Sequence, residues 1–396
     1  MHITRRPLAT TSVSWVSLLW PLLLFLLHPL PTAADCECGY STTTTTSGGA
    51  ESDIVFSELL ESDFTRVDYF GDDYKGPQRW ARQAFDKTAS TARGPFGEAY
   101  VTGNARSDII ATTAKNSKIS NNDNCGLQLV VGSKVVDGMV QNAEIATMGQ
   151  DYFHGTYRVG LKVTDVPGTC TAFFWYFNDT QEIDIEFLSH EFNRTNNSYP
   201  VNLVLQTAQS RAAGYDASRS DTGTFQKREL PFDPTAGFHE YRIDFLADRV
   251  VFYADGTVLA AMAGDGIPSV GGNLLLSHWS NGNPGWSAGP PAADARSVVS
   301  YVKAYYNSSN ATRGKEARSR CERAPAGARR CRDRGGFFSD PGSGGSDNGG
   351  GDNANGQGNN NGDGHRNAAS PSVAMGRMGA LALVVALGAA ICIVGL

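Results

Sequence analysis

The sequence predicts an all-β sandwich or barrel that spans residues 53–307. Hydrophobic runs such as "GLQLVV", "TAFFWYF" and "YPVNLVLQT" recur with turn residues between them, and helical periodicity is rare. Asp255-Gly256 separates two further runs, "VVFYA" and "TVLAAM", and such a two-residue connection is typical of a tight β-hairpin. About 255 residues is an acceptable length for one domain of this class.

The segment before this domain predicts export. A basic start and an apolar stretch from Val13 to Leu27 precede the small residues of "PTAAD". This order is typical of a secretory signal peptide, which we expect to occupy residues 1–34. Residues 35–52 are rich in Ser, Thr and Gly, and we expect them to form a short linker because they offer little to bury.

The composition changes twice after the domain. Residues 308–336 form a basic, Cys-containing extension, whose part 313–334 would either hold an acidic polymer or membrane surface or be a solvated, disulfide-closed segment. We favour the solvated segment. Residues 337–367 are rich in Gly and Asn and predict a disordered stalk. Residues 368–396 combine small residues, a spacer and an apolar tail, which is typical of a glycolipid-anchor signal that is removed.

The apolar tail has an alternative interpretation as a single membrane-spanning helix, because its length is close to the roughly 20 residues that a bilayer requires. No basic flank follows the tail, and the glycolipid anchor is therefore the favoured interpretation. We expect a protein at the cell surface or cell wall, attached to the plasma membrane by this anchor.

The cysteines and glycosylation motifs agree with export. The chain has seven cysteines, and Cys392 lies in the tail that would be removed, which leaves an even six. Cys321 and Cys331 are close enough in sequence to close a short loop, although sequence alone does not give the pairing. Motifs for N-glycosylation occur at Asn178, Asn193, Asn196, Asn307 and Asn310.

Charge and motifs exclude several classes of function. The formal net charge of −6 argues against nucleic-acid binding. The sequence has no CxxC pair, no HExxH motif and no phosphate-binding loop, which lowers the rank of redox, zinc-protease and nucleotide chemistry.

The stretch "QEIDIEFLSHE" places three acids in a run with the composition of a buried strand. Successive side chains of a strand point to opposite faces, so Glu182, Asp184 and Glu186 share one face and the apolar residues take the other. Like charges in a row repel, which makes this pattern unfavourable for the fold alone and indicates a functional cause.

Glycoside hydrolysis requires such a pair of carboxyl groups. The Cα atoms of Glu182 and Glu186 would be about 13 Å apart, and two side chains leaning toward each other would close that gap to the roughly 5 Å of a retaining enzyme. Inverting chemistry also remains compatible with this spacing. We expect the charges of Asp184 and Glu182 to keep Glu186 protonated near neutral pH. A calcium site and an exposed acidic strand without a role are the competing interpretations.

The motif "EIDIEF" resembles the active-site signature of glycoside hydrolase family 16, the laminarinase and lichenase family, in its unbulged form. "YFHGTYRVGLKV", "FHEYRIDFLADRVVFYADGTVL" and "LLLSHWSNGNPGW" resemble other strands of that family, and the resemblance covers roughly residues 140–306. It implies a concanavalin A-like β-jelly-roll sandwich whose concave sheet binds a β-glucan and cleaves it with retention of configuration.

The resemblance also implies roles for individual residues. Glu182 would be the nucleophile, Glu186 the general acid and base, and Asp184 the residue that orients Glu182. The candidates for substrate binding are Trp175, Trp279, Trp286, Phe153, His154 and Gln206. His239 is expected to be structural. The sequence departs from the family in "NDTQ" before the first Glu. It also departs in "VNLVLQT", which we interpret as lacking the Asn or Tyr that the family places facing the sugar.

We therefore expect a secreted, monomeric retaining glycosidase of the fungal type, which acts on β-1,3 or mixed β-1,3/1,4-glucan of a fungal cell wall. No metal or cofactor is expected in the reaction, while a structural calcium ion is left open. A wall transglycosylase that links glucan chains is the alternative within the enzyme class. A lectin-like glucan binder without catalysis is the alternative outside it.

Overall fold

The computed structural model of the chain describes residues 36–45, 49–109, 125–215, 223–324 and 330–333. The predicted signal peptide, the Gly/Asn-rich stalk and the glycolipid-anchor signal lie outside these residues.

The described residues are mostly strands. In the first half the strands are β1 (Tyr40–Thr45), β2 (Glu51–Phe56), β3 (Glu58–Asp63), β4 (Trp80–Arg82), β5 (Phe85–Lys87), β6 (Gly97–Tyr100), β7 (Ala105–Asp108), β8 (Gly126–Val131), β9 (Val135–Val136), β10 (Met139–Thr147) and β11 (Tyr152–Lys162). In the second half they are β12 (Cys170–Asn178), β13 (Gln181–Leu188), β14 (Pro200–Gln206), β15 (Phe225–Glu229), β16 (His239–Phe245), β17 (Arg249–Ala254), β18 (Thr257–Ala263), β19 (Asn273–Trp279), β20 (Ala295–Ser308) and β21 (Cys331–Arg332). The α-helices are α1 (Ala89–Ala92), α2 (Ala208–Ala212) and α3 (Ala311–Arg323).

Two large sheets form the body of the described residues. One sheet has ten strands, with the path β15-β14-β13-β12-β19-β10-β6-β5 and with β4 and β9 paired to β10. The other has eight strands, with the path β18-β17-β16-β11-β20-β8-β7 and with β3 paired to β20. Because β13 carries the three acids, we call the first the acid sheet and the second the back sheet. Two packed sheets confirm the predicted all-β sandwich.

The core lies between the two sheets, and its aromatic side chains come from both. Phe187 of β13 packs edge-on against Tyr241 of β16, with ring centroids 4.7 Å apart. Trp175 of β12 packs against Phe245 of β16 at 5.0 Å. All four side chains are fully buried. Burial of this kind is the main stabilising contribution of a sandwich and fixes which face of β13 points outward.

The hairpin predicted at Asp255-Gly256 is confirmed. β17 and β18 pair antiparallel, and Ala254 lies opposite Thr257. Asp255 has a φ of 45° and Gly256 a φ of 75°, so both central residues are left-handed. This is the backbone that a two-residue turn of matching twist requires, and Asp followed by Gly adopts it readily.

A third, small layer covers part of the back sheet. β1 pairs with β2 and, in parallel, with β21. The segment 35–52 was expected to be a linker, but the structure places β1 in it. Thr is a β-branched residue that favours strands, and the side chains of Thr42 and Thr44 are buried against the back sheet. We call residues 36–45, 49–56 and 330–333 the clasp.

Two disulfide bonds hold the clasp. Cys36 pairs with Cys331 and Cys38 pairs with Cys321, across sequence separations of 295 and 283 residues. Cys321 and Cys331, which are close enough in sequence to close a short loop, therefore do not pair with each other. Strand β21 lies beside β1, which brings Cys331 to Cys36, while helix α3 carries Cys321 to Cys38.

The described part of the basic extension is packed on the sandwich. Arg313 at the start of α3 forms ion pairs with Asp151 and Glu58, each with 2.7 Å between nitrogen and oxygen. Arg320 reaches Glu58 at 3.4 Å. These arginines are therefore paired with the domain rather than only solvated. Within the described ranges, no helix has both the length and the apolar character to cross a membrane.

Candidate active site

The three acids lie on the outer face of the acid sheet, pointing away from the core. Glu182, Asp184 and Glu186 are 2%, 5% and 5% exposed. On β12, the residues that pair with them are Tyr176, Phe174 and Ala172; on β14 they are Gln206, Val204 and Asn202. Because paired residues share a face of a sheet, these side chains surround the acids. We call this surface the acid face.

Burial raises the pKa values of all three carboxyl groups. For Glu182, burial and the neighbouring Asp184 raise the pKa well above its usual value. For Asp184, burial and the charge of Glu186 raise the pKa, and a hydrogen bond with Glu182 offsets part of the increase. Burial raises the pKa of Glu186 to about 7. Three carboxyl groups this close in a water-poor site cannot all ionise near neutral pH, so the group retains a proton there.

The surroundings of Glu186 limit its pKa rise. The Cys170 thiol donates a hydrogen bond to Glu186 Oε1, with 3.5 Å between sulfur and oxygen. This bond, the nearby indole of Trp286 and the charge of Arg93 each lower the pKa of Glu186. The sequence predicted a proton on Glu186 because of the charges of Glu182 and Asp184. The direction agrees, but burial is the main cause.

Three of the predicted binding residues lie on the acid face. Trp279 pairs with Cys170, and Gln206 pairs with Glu182. Trp286 packs in one cluster with Trp279 and Cys170. Each of these side chains is at most 2% exposed. The Gln206 Oε1 atom is buried and has no hydrogen-bond partner in the described part of the chain.

The other three predicted binding residues do not lie on the acid face. Trp175 is fully buried in the core, where its indole N–H donates to the carbonyl of Tyr152 at 2.9 Å. Phe153 and His154 lie on β11 of the back sheet, stacked at 3.9 Å on each other and edge-on to Phe245. The prediction was wrong for Trp175 because "TAFFWYF" is apolar on both faces, so no alternation of polar and apolar residues shows which side chains face the core. It was wrong for Phe153 and His154 because they belong to the other sheet.

The structure adds residues that sequence reasoning missed. Asn202 on β14 pairs with Glu186, so the expectation that "VNLVLQT" presents no Asn to the site is wrong. Its side chain is fully buried, and neither amide atom has a partner among the described residues. The spacing of two between Asn202, Val204 and Gln206 could have shown that Asn202 and Gln206 share a face.

Glu144 on β10 is a second missed residue. It pairs with Ser277 of β19, which pairs with Ala172 of β12, and therefore lies on the acid face two strands beyond β12. Its carboxyl group is 1% exposed, and neither oxygen has a partner among the residues described. Burial raises its pKa to about 8, although the charge of Lys87 offsets part of the increase. Burial thus favours the protonated form of Glu144 near neutral pH.

His239 forms a 2.7 Å contact through Nδ1 with Asp255 and stacks on Phe232, in agreement with a structural role. The Asn178 side chain accepts hydrogen bonds from Thr180 in the turn between β12 and β13. Of the other predicted glycosylation positions, Asn193, Asn196 and Asn310 are exposed and Asn307 is half-buried. In the described ranges, no group of three or more His, Cys, Asp or Glu side chains could hold a metal ion.

Comparison with known proteins gives the family to which the sandwich is similar. The family model described as Glycosyl hydrolases family 16 matches residues 106–298. These residues form a family 16 domain. The match includes β13 and its acids, and together with the two-sheet architecture it confirms the predicted concanavalin A-like jelly-roll.

Curated relatives of the family 16 domain include bacterial and fungal proteins. The beta-glucanase of Paenibacillus macerans is 31% identical over 133 residues, which cover 32% of this chain and 48% of the relative. Congo red hypersensitive protein 1 of Saccharomyces cerevisiae is 28% identical over 141 residues, which cover 34% of this chain and 24% of the relative. The chain thus spans less than half of the length of each.

Among solved structures, a prokaryotic β-1,3-1,4-glucanase (lichenase) from a mouse hindgut metagenome is similar to the chain. The TM-score is 0.45 at 19% sequence identity, and the alignment covers 63% of this chain and 98% of the lichenase.

Proposed function

We propose that the protein is a retaining glycosidase that hydrolyses β-1,3 or mixed β-1,3/1,4-glucan at the cell surface or in the cell wall. The observation that carries the proposal is the set of three buried carboxyl groups on the acid face of a family 16 domain. The Paenibacillus macerans relative is named a beta-glucanase, which supports a β-glucan as the substrate. The two disulfide bonds support an oxidising compartment, as export would provide.

The reaction would proceed in two steps, and the acids have different roles in each. In the first, the Glu182 carboxylate attacks the anomeric carbon, the glycosidic bond breaks, and Glu186 gives its proton to the leaving oxygen. In the second, the Glu186 carboxylate takes a proton from water, and the water oxygen displaces Glu182 from the glycosyl ester. A Glu186 pKa of about 7 suits a group that both gives and takes a proton near neutral pH. Asp184 lies between the two on the same face and orients Glu182.

The product mixture tests this proposal. The soluble protein is incubated with laminarin and lichenan oligosaccharides, and the chain lengths of the products are measured by chromatography or mass spectrometry. Shorter products alone support hydrolysis. If neither shorter nor longer products form while the glucan still binds, the enzyme proposal is refuted and the lectin-like alternative is supported.

A second candidate function, transfer of the glycosyl group to another glucan chain, is favoured by the low exposure of the acids. Only 2% to 5% of each side chain is exposed, so a bound sugar hydroxyl would compete well with bulk water for the glycosyl ester. Products longer than the substrate would establish transfer.

Replacement of the nucleophile gives the first prediction. We expect Glu182→Gln to lower turnover by about 10³-fold or more, because an amide cannot form the glycosyl ester. The thermal unfolding midpoint should not fall, since a neutral side chain removes a buried charge from the acid face. Glu51→Gln, the same substitution at an exposed Glu of β2, is the control and should retain full turnover. Full activity in Glu182→Gln would refute its role as the nucleophile.

A further inference from the structure

Two side chains from separate loops meet over the acid face. The guanidinium carbon of Arg93 lies 4.2 Å from the ring centroid of Tyr215, a cation–π contact. Arg93 follows helix α1, and Tyr215 comes shortly after helix α2. Neither residue belongs to the strands that carry the acids, and the family signature "EIDIEF" contains neither of them.

The loop that carries Arg93 is anchored at one end of the acid face. Arg93 has a φ of 58°, a left-handed backbone that is costly for a residue other than glycine. The Asn283 side chain donates to the Arg93 carbonyl at 3.2 Å, and the Asn281 side chain donates to the Ala92 carbonyl at 2.6 Å. A Cβ atom at Gly94 would lie 2.4 Å from the Asn281 carbonyl oxygen, so only glycine allows this close approach. The strained backbone is therefore held in place by its surroundings.

Tyr215 is anchored at the other end. Its hydroxyl donates to Asp179 Oδ2 at 2.8 Å, and the hydroxyl of Tyr176 donates to Asp179 Oδ1 at 3.0 Å. Asp179 lies in the turn between β12 and β13, just before Glu182 in the strand. The Asp179 carboxylate thus links Tyr215 to Tyr176, which lies on the acid face.

The strand register shows that these anchors lie on opposite sides of the acids. Asn281 follows Trp279, which pairs with Cys170 near the Glu186 end of β13. Asp179 lies beyond the Glu182 end. The two glutamates are four residues apart, which is about 13 Å along a strand, a gap that an Arg and a Tyr side chain together can bridge. The contact between Arg93 and Tyr215 therefore crosses above the three acids.

The electrostatics agree with this placement. The charge of Arg93 lowers the pKa of Glu186. Burial lowers the pKa of Arg93, and the charges of Glu182 and Asp179 offset part of that decrease. The Nη2 atom of Arg93 is buried and has no hydrogen-bond partner in the described part of the chain. A buried N–H of a charged group without an acceptor is unfavourable, so the Nη2 atom is available to an acceptor on a bound ligand.

We propose that Arg93 and Tyr215 form a clamp that closes over the glucan chain at the point of cleavage, with Arg93 Nη2 donating a hydrogen bond to a sugar oxygen. The inference rests on the proposed function, because it assigns the same site a substrate-positioning residue. The acceptor is an uncharged hydroxyl or ring oxygen of the glucan. The Tyr215 ring holds the guanidinium plane in the orientation that this bond requires.

Variants of the two residues test the clamp in the full-length protein. We expect Arg93→Ala to raise KM for laminarin oligosaccharides about tenfold or more, the effect of one hydrogen bond from a charged donor, with a smaller change in kcat. Tyr215→Ala should raise KM less than Arg93→Ala does. Tyr215→Phe keeps the ring and loses only the bond to Asp179, so its increase in KM should be smaller than that of Tyr215→Ala. Thermal unfolding of each variant checks that the fold is retained.

The matched control is Arg66→Ala. Arg66 lies after β3, its side chain is 51% exposed, and its ion pair with Asp63 is at the surface. Unchanged KM in Arg93→Ala, an equal increase in Arg66→Ala, or a Tyr215→Phe variant as impaired as Tyr215→Ala would each overturn the clamp.

Binding measurements separate a failure of the clamp from a failure of the proposed function. Calorimetric titration with laminarin oligosaccharides is carried out on Glu182→Gln and on the double variant Glu182→Gln/Arg93→Ala. If the protein has no turnover, the proposed function fails, yet weaker binding by the double variant still supports the clamp. Equal binding by the two variants, or no binding by Glu182→Gln, overturns it.

Discussion

The two sheets of the sandwich each bury polar side chains on the face that points away from the core. On the back sheet, Arg242 donates to both oxygens of Asp244 at 2.6 Å, and the hydroxyl of Thr44 from the clasp donates to the same carboxylate at 2.6 Å. On the acid sheet, the amide of Asn202 and the carboxyl group of Glu144 are as deeply buried, yet they have no partner among the described residues.

This difference separates two uses of buried polarity. A buried polar group without a partner costs free energy, so a fold retains it only where another requirement outweighs the cost. The back sheet uses its charges to hold the clasp, and every oxygen of Asp244 is satisfied. The acid face leaves donors and acceptors available, as a surface that binds a hydroxyl-rich polysaccharide requires. Substitutions on the back sheet should therefore change stability, and substitutions on the acid face should change activity.

The largest stability effect is expected for Asp244→Ala. It would leave the buried guanidinium of Arg242 without its carboxylate, and loss of one partner of a buried pair costs about 3–5 kcal/mol. Chemical denaturation measures the change in the free energy of unfolding, and kcat/KM of the folded protein should be unchanged. The control is Asp248→Ala, because the side chain of Asp248 is 67% exposed in its pair with Arg249 and should contribute at most about 1 kcal/mol. Equal costs for the two variants would contradict the comparison.

A change of opposite sign is expected on the acid face for Asn202→Leu. Replacement of an unpartnered buried amide by an apolar side chain of similar size should stabilise the protein by about 1–3 kcal/mol while glucan turnover falls. The matched control is Asn142→Leu on the same sheet, where the amide exchanges hydrogen bonds with Ser280. The control should destabilise the protein. Chemical denaturation gives the free energy of unfolding of both variants, and kinetic assays give their glucan turnover. A loss of stability in Asn202→Leu would show that the Asn202 amide has hydrogen-bond partners.

The sequence was sufficient to predict the sandwich and the face of the acids, because both follow from the pattern of polar and apolar residues within single strands. Alternation in "EIDIEF" is unambiguous, since every second residue is charged. "TAFFWYF" is apolar throughout, so nothing local shows that Trp175 faces the core. Asn202 had a usable signal, because it and Gln206 alternate with apolar residues in "VNLVLQ".

Features that depend on distant segments could not be predicted. The disulfide bonds join residues separated by 295 and 283 positions, and strand pairing between β1 and β21 decides which cysteines meet. The contact between Arg93 and Tyr215 depends likewise on two loops whose anchors come from other parts of the chain. Sequence spacing describes neighbours within one element and carries no information on such contacts.

The smallest effect is expected from Cys170→Ala, a change on the acid face that should move a pKa rather than remove a function. The thiol hydrogen bond favours the ionised form of Glu186, so its loss should raise the Glu186 pKa above about 7. Because Glu186 acts as an acid in its protonated form, the alkaline limb of the pH profile of kcat/KM should shift to higher pH, by less than about one unit. Cys170→Ser keeps a donor and should retain the original limb. A shift to lower pH in Cys170→Ala, or equal shifts in both variants, would show that the thiol does not act on Glu186 through this bond, and that Trp286 and Arg93 alone limit the rise in the Glu186 pKa that burial causes.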